Sequence, residues 1–249
     1  MRGKRVLGVC AVGCGVATLT ACGSSTSKAA STSSGNRPAS SSRPASTPSS
    51  EAPPSLAQLK KIVLQPTDLP PGRKGTPHQP DPSTAADQAA LAKCVGACNT
   101  DPDIVAEANS DDFALGDARI GSSADSYRSQ SDVDTDVAIL HNPKARSCYD
   151  QVIKKVLATS QPAGATIESA SIKLTPGSAD GPANVAGTLT TTVKFSANGQ
   201  QQVLLYLTST FITGPLIEAE VDTENVGAPV PASAVNALVA TVATRAAKG

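Results

Sequence analysis

This chain has no tryptophan, one methionine and two histidines, and its aromatic residues are six in all: Phe113, Phe195, Phe211, Tyr127, Tyr149 and Tyr206. Binding to single-stranded nucleic acid uses aromatic platforms beside clustered Lys and Arg. Neither is present, so nucleic acid is excluded as a partner. No zinc spacing, phosphate loop or dinucleotide fingerprint occurs in the mature chain, and no cofactor is expected. No G-x-S-x-G elbow accompanies the histidines, so His78 reads as a loop polar residue and His141 as a strand-end residue. Acidic residues are missing before Glu51, whereas Arg2, Lys4 and Arg5 open the chain.

Behind those three cations the chain is apolar and small, from Val6 to Ala21, ending in Leu19-Thr20-Ala21-Cys22. A positive start and a short apolar core are the layout of a secretory signal, too short for a membrane-spanning helix of about 20 residues. Residues 23–50 then hold 15 Ser and Thr among 28, with Pro38, Pro44 and Pro48 and no apolar side chain larger than alanine. Such a stretch cannot bury enough surface to offset chain entropy. As a flexible chain, residues 23–54 span about 30 Å on average. The expected organisation is therefore a signal at 1–21, a Ser/Thr/Pro-rich tether at 22–54 and one globular domain at 55–249. That domain carries 15 basic and 20 acidic residues, a net charge of −5.

Three cysteines remain after Cys22, namely Cys94, Cys98 and Cys148, and an exported protein permits disulfides. On one helix, residues four apart hold their Cβ atoms about 5–6 Å apart, beyond the roughly 4 Å of a disulfide. Cys94 or Cys98 therefore pairs with Cys148. Cys94 is preferred, because it shares a helical stripe with Leu91 and Val95, while Cys98 leads into a turn-rich exit and stays free.

Apolar spacing predicts helices at 55–65 and 83–96, the latter capped by Ser83 or Thr84. A third runs from Asn142-Pro143 with Ala145, Cys148, Val152 and Val156 facing the core, and a closing helix covers 231–249. "DARIGSSADSY" and "VDTDVAIL" read as a hairpin around Gln130, "TIESASIKL" (166–174) as a strand, and Asn198-Gly199 as a type I′ turn between two β-prone runs. "VLLYL" (203–207) is apolar on both faces and reads as a central strand. Gly214-Pro215 turns the chain into a strand at 216–224. This order predicts an α+β domain, an antiparallel sheet of five or six strands with helices packed on it.

Two acidic runs stand out. Asp132, Asp134 and Asp136 lack the Gly and Glu of an EF-hand loop and read as a solvated strand edge, so no metal is expected. Glu218, Glu220, Asp222 and Glu224 alternate with Ile217, Ala219, Val221 and Thr223, which puts four carboxylates on one strand face. They read as a solvated face or a charged edge strand. The alternative is a face for a cation or a basic group. A solvated face predicts that Glu220→Gln with Asp222→Asn is nearly neutral and that divalent ions do not stabilise the protein.

The motif LTAC at 19–22 resembles a bacterial lipobox. Together with "DLPPG" (68–72), "ALAKCVG" (90–96), "NPKARSC" (142–148) and "TVATRAA" (241–247), it makes the chain similar to actinobacterial, mainly mycobacterial, envelope lipoproteins of unassigned function. That resemblance implies cleavage before Cys22, a thioether diacylglycerol on its sulfur, a further acyl chain such as palmitate on its amine, and residence on the outer face of the cytoplasmic membrane. Two or more acyl chains anchor stably. More remotely, the order of elements resembles the extracellular sensor domains of mycobacterial serine/threonine kinases, which place a disulfide-linked helix beside an antiparallel sheet. The extra Cys98 departs from them. The function expected is a membrane-anchored, non-enzymatic module that binds an envelope ligand or partner protein. The alternative is an envelope glycan or lipid hydrolase, which would need two carboxylates converging in a cleft about 5–9.5 Å apart.

Overall fold

A computed structural model describes residues 52–79, 84–97, 99–159, 165–177, 184–197 and 200–249. The signal, Cys22, most of the tether, Ser83, Cys98 and the Asn198-Gly199 turn lie outside the described residues. The protein is α+β, with an antiparallel sheet of eight strands rather than five or six. They are β1 (Gly75–Thr76), β2 (Ile104–Asn109), β3 (Asp112–Leu115), β4 (Ala118–Tyr127), β5 (Ala165–Pro176), β6 (Val185–Ala197), β7 (Gln200–Gly214) and β8 (Ile217–Val226). The spatial order is β1-β3-β4-β8-β7-β6-β5, with β2 also pairing β4. The additional strands β1, β2 and β3 are two to six residues long and surround the predicted β4. As expected, β7 is interior, flanked by β6 and β8.

Among the described residues, five α-helices cover the two faces: α1 (Leu56–Ile62), α2 (Thr84–Val95), α3 (Gln130–His141), α4 (Ala145–Thr159) and α5 (Ala232–Ala246). Strand alternation separates two cores. On one face, Leu59 and Ile62 of α1 and Leu238, Val239 and Val242 of α5 pack with Ile120, Ala124, Ile212, Ile217, Ala219 and Val221. On the other, Leu140 of α3 and Ile153, Val156 and Leu157 of α4 pack with Ile172, Leu189, Val193, Leu205 and Phe211.

The hairpin expected around Gln130 does not form, because residues 130–141 are helix. Ser129 caps it: its N–H and hydroxyl donate to Asp132 Oδ2 at 3.0 and 2.7 Å. Val133 and Leu140 are buried and Val137 packs against the Leu140 cluster, and their spacing of four and three is that of a helix. The next helix starts at Ala145, two residues later than Asn142-Pro143 implied. Asn142 instead links the turn to α2, its side-chain amide donating to the Val95 carbonyl at 3.2 Å.

Two cross-links staple the helices to the fold. Cys94 of α2 is bonded to Cys148 of α4, as predicted, with their Cα atoms 5.7 Å apart. Arg245 of α5 makes a two-pronged ion pair with Asp68, Nη1 to Oδ2 at 2.8 Å and Nη2 to Oδ1 at 2.7 Å. Burial works to raise the Asp68 carboxyl, but hydrogen bonds from Arg245 and the Gln65 N–H, with the Arg245 charge, outweigh it and hold it below its ordinary value. At the β7–β8 turn, a Cβ on Gly214 would overlap the Ala246 carbonyl, so the end of α5 rests on bare backbone there.

Candidate functional site

The sheet face under α2, α3 and α4 collects acid. Register places Glu107 of β2 opposite Asp125 of β4, and Asp125 opposite Glu218 of β8. The next row runs Asn109, Ser123, Glu220 and Phe211. Beyond it Asp222 lies opposite Ser209, whose hydroxyl donates to Asp222 Oδ1 at 2.6 Å. Glu224 then meets Arg119, 2.9 Å away. Like charges opposite one another on a sheet are destabilising, so the Glu107–Asp125–Glu218 row is not explained by strand pairing.

Above this floor the helices leave a cavity of about 140 Å³. Its two sides differ in chemistry. Leu91 of α2, Val152, Ile153 and Val156 of α4, Leu189 of β6 and Phe211 of β7 make an apolar wall, while Asp87, Asp101, Asp125, Asp136, Glu218 and Glu220 make an acidic one. Among the described residues lining it there is no Lys, Arg or His. At its rim Lys155 lies 3.7 Å from Asp87. A smaller hollow of about 50 Å³ abuts it, sharing Ser123 and Ser209, and carries Asp222 and Glu224 together with Arg119 and His78.

Burial is the leading cause of every perturbed carboxyl here. It pushes Asp125 well above the usual range, helped by the charges of Glu107, Glu220, Asp136 and Asp101. Glu218 rises for the same reason, with Asp136 contributing the largest charge effect and a hydrogen bond. Asp222 rises through burial and Glu220, against the Ser209 hydrogen bond. Asp101 is raised to about 6 by burial and Asp136, against a hydrogen bond from Asn99. Glu107 is raised by burial, offset in part by the hydrogen bond from Asn109 and then by His78, and Glu224 is raised by burial, offset in part by Arg119. Asp125 Oδ1, Glu218 Oε2 and Gln88 Oε1 are sealed from solvent with no hydrogen-bond partner among the described residues. All three side chains line the larger cavity.

The expectation of a solvated acidic face is therefore corrected. Glu220 is 8% exposed, and Glu218, Asp222 and Glu224 are part-buried beneath the helices and neighbouring strands. The helical roof, invisible in the local alternation, closes over Glu218 and Glu220, while Asp222 and Glu224 lie in the hollow lined by strand residues and His78. The Asp132–Asp136 run is likewise not a strand edge but part of α3, and the helix separates its members. Asp132 caps, Asp134 accepts from the Gln130 amide at 3.1 Å, and Asp136 turns to the cavity and accepts the Tyr127 hydroxyl at 2.6 Å. His78 sits 3.1 Å from Asp112 beside the smaller hollow, and His141 ends α3, not a strand. Sequence reasoning misses Asp101, Asp125, Tyr127 and Asp136 as members of the site. The signal for two of them is period-two spacing along β4, since Ser123, Asp125 and Tyr127 share a face. Among the described residues, no group of three or more His, Cys, Asp or Glu is placed to hold a metal ion. No described helix is long and apolar enough to cross a membrane.

No family model matches the chain, and no curated protein does. Among solved structures it is similar to the extracellular domain of PknH from Mycobacterium tuberculosis, with a TM-score of 0.37 and 8% identity, covering 79% of this chain and 98% of that one. Likeness at that level transfers neither ligand nor function to this chain.

Proposed function

We propose that the protein is an envelope lipoprotein whose folded part is a non-enzymatic, sensor-like binding module, with its ligand in the cavity between the β4–β8 floor and helices α2–α4. The observation that carries this reading is the unpaired chemistry of that cavity. Buried polar atoms are almost always hydrogen-bonded, and here three buried side-chain oxygens without a partner among the described residues border one hollow that also offers an apolar wall. A ligand with a polar head and an apolar body satisfies both. The test is native mass spectrometry of the protein purified from its own envelope. A stoichiometric small molecule released on denaturation is expected, and a bare polypeptide mass would contradict the reading.

Residues 1–21 would act as the cleaved signal, Cys22 as the lipid-bearing residue, and 22–54 as a tether holding the domain at 55–249 off the outer face of the cytoplasmic membrane. Cys22→Ala should shift the protein from the detergent to the aqueous phase in phase partitioning. An unchanged partition would rule out the anchor.

Hydrolysis of an envelope glycan or lipid is the second reading, and the convergence of carboxyls in a cleft favours it. Such chemistry pairs a proton-holding acid with an ionised carboxylate. Burial instead drives Asp125, Glu218 and Asp222 in one direction, toward the protonated form, which favours binding. Release of reducing sugar or fatty acid from envelope extracts, lost in Asp125→Asn, would establish the hydrolase.

A further inference from the structure

We infer that the ligand of this cavity is an organic cation, an ammonium or quaternary ammonium group carrying a compact apolar body. The inference rests on the cavity being a ligand site and adds the charge and size of what it takes.

Three independent features point to that class. The first is charge: six carboxyl side chains line the hollow and no described cation does. Asp125 Oδ1 and Glu218 Oε2 are buried on its floor without a hydrogen-bond partner among the described residues, as they would be if the group that pairs them came from outside the protein. The second is aromatic placement. The chain has only six aromatic residues, and three of them, Tyr127, Tyr149 and Phe211, line this one cavity. Aromatic faces attract ammonium groups through their quadrupole, and quaternary ammonium ligands are bound in such surroundings. The third is the opposite wall. Val152, Ile153, Val156 and Leu189 present hydrocarbon, which a hydrated metal ion has no use for, and no metal-holding group occurs among the described residues. An apolar cavity of about 150 Å³ holds benzene, so a hollow of about 140 Å³ takes a body of about six to eight non-hydrogen atoms. The ammonium would lie between Asp125, Glu218 and the Tyr127–Asp136 pair, and the body would lie against α4 and Leu189. Binding it displaces protons held by the buried carboxyls.

Isothermal titration of the full-length protein in non-ionic detergent at pH 7.5, with n-hexylammonium, hexan-1-ol and hexanoate as probes of one shape and three charges, tests this. The amine should bind at least tenfold more tightly than the alcohol, and the acid should not bind. In Asp125→Asn/Glu218→Gln the amine should fall to the level of the alcohol. Should that double variant fail to fold, Asp136→Asn alone should weaken the amine and leave the alcohol unchanged. Alcohol or acid binding as tightly as the amine would overturn the cation while leaving the ligand site standing, and so would a neutral or anionic molecule co-purifying with the protein. Stabilisation by calcium alone, abolished in the double variant, would overturn it in favour of a metal. If no probe binds and nothing co-purifies, the ligand site and the cation fall together.

Discussion

β8 presents two faces that the chain treats in opposite ways. Ile217, Ala219 and Val221 point into the core under α1 and α5, and all three are essentially inaccessible. Glu218 and Glu220, one residue out of phase, point under α2, α3 and α4, and Asp222 beside them lines the smaller hollow, so that carboxyls crowd together on this face. The first face has its polar groups matched: the Ser122 hydroxyl accepts the Leu64 N–H at 2.7 Å, and Asp68 meets Arg245 in two hydrogen bonds. The second leaves buried oxygens without a hydrogen-bond partner among the described residues. Proteins retain locally unfavourable arrangements mainly at functional sites. The contrast therefore assigns stability to the α1/α5 side and recognition to the α2–α4 side.

The stabilising face should give the largest effect. Ile217→Ala removes a fully buried side chain and should lower unfolding free energy by about 2–5 kcal/mol, read from denaturant midpoints. A loss below about 1 kcal/mol would mean that this core tolerates voids and that the contrast is overstated.

Next is the staple of the other side. Cys148→Ala breaks the Cys94 bond and should cost about 2–4 kcal/mol. Hydrogen exchange should rise in α2 and α4 and stay unchanged in α5. Equal rises in α5 would show the two sides to be one cooperative unit. Non-reducing peptide mapping of the native protein should find Cys94 joined to Cys148, and a Cys98–Cys148 peptide would reverse the pairing.

The pH dependence is smaller. Asp101, Asp125, Glu218 and Asp222 hold protons more tightly when folded than when unfolded. Folding therefore takes up protons above the ordinary carboxylate range of about 4. Stability is full below that range and falls as pH rises through the raised values, about 6 for Asp101. Each group protonated only in the folded state contributes a slope of at most about 1.4 kcal/mol per pH unit. Asp68, held low, acts oppositely, but only below about pH 4. The melting temperature should therefore decline from pH 4.5 to 7.5, and a rise over that interval would show that the buried acids do not govern stability there.

Much of the fold is legible in the chain for local reasons. Helix phasing places Cys94 and Cys148 on inward stripes, and the β6–β7 runs and the 216–224 strand stand out by alternation and β-prone composition. α3 reads as a strand because Val133, Asp134, Thr135 and Asp136 alternate over a short window. The Ser129–Asp132 capping box and the 133-137-140 spacing are the stronger signals. The site is legible only in part. Alternation shows which carboxylates share a face, but not whether that face meets water. That depends on α2 and α4, far away in sequence and fastened by a disulfide. Because a buried carboxylate is costly to keep ionised, Glu220→Gln with Asp222→Asn is now expected to change stability rather than to be nearly neutral.

If the acidic face is kept at the expense of the fold's stability, neutralising it should make the protein more stable. The decisive quantity is the unfolding free energy of Asp125→Asn/Glu218→Gln against the parent at pH 7.5, without ligand. Removing buried, mutually repelling acids should stabilise the variant by about 1–3 kcal/mol and flatten the decline between pH 4.5 and 7.5. A variant less stable than the parent by a similar amount would contradict this, and would make these carboxyls part of what holds the fold together.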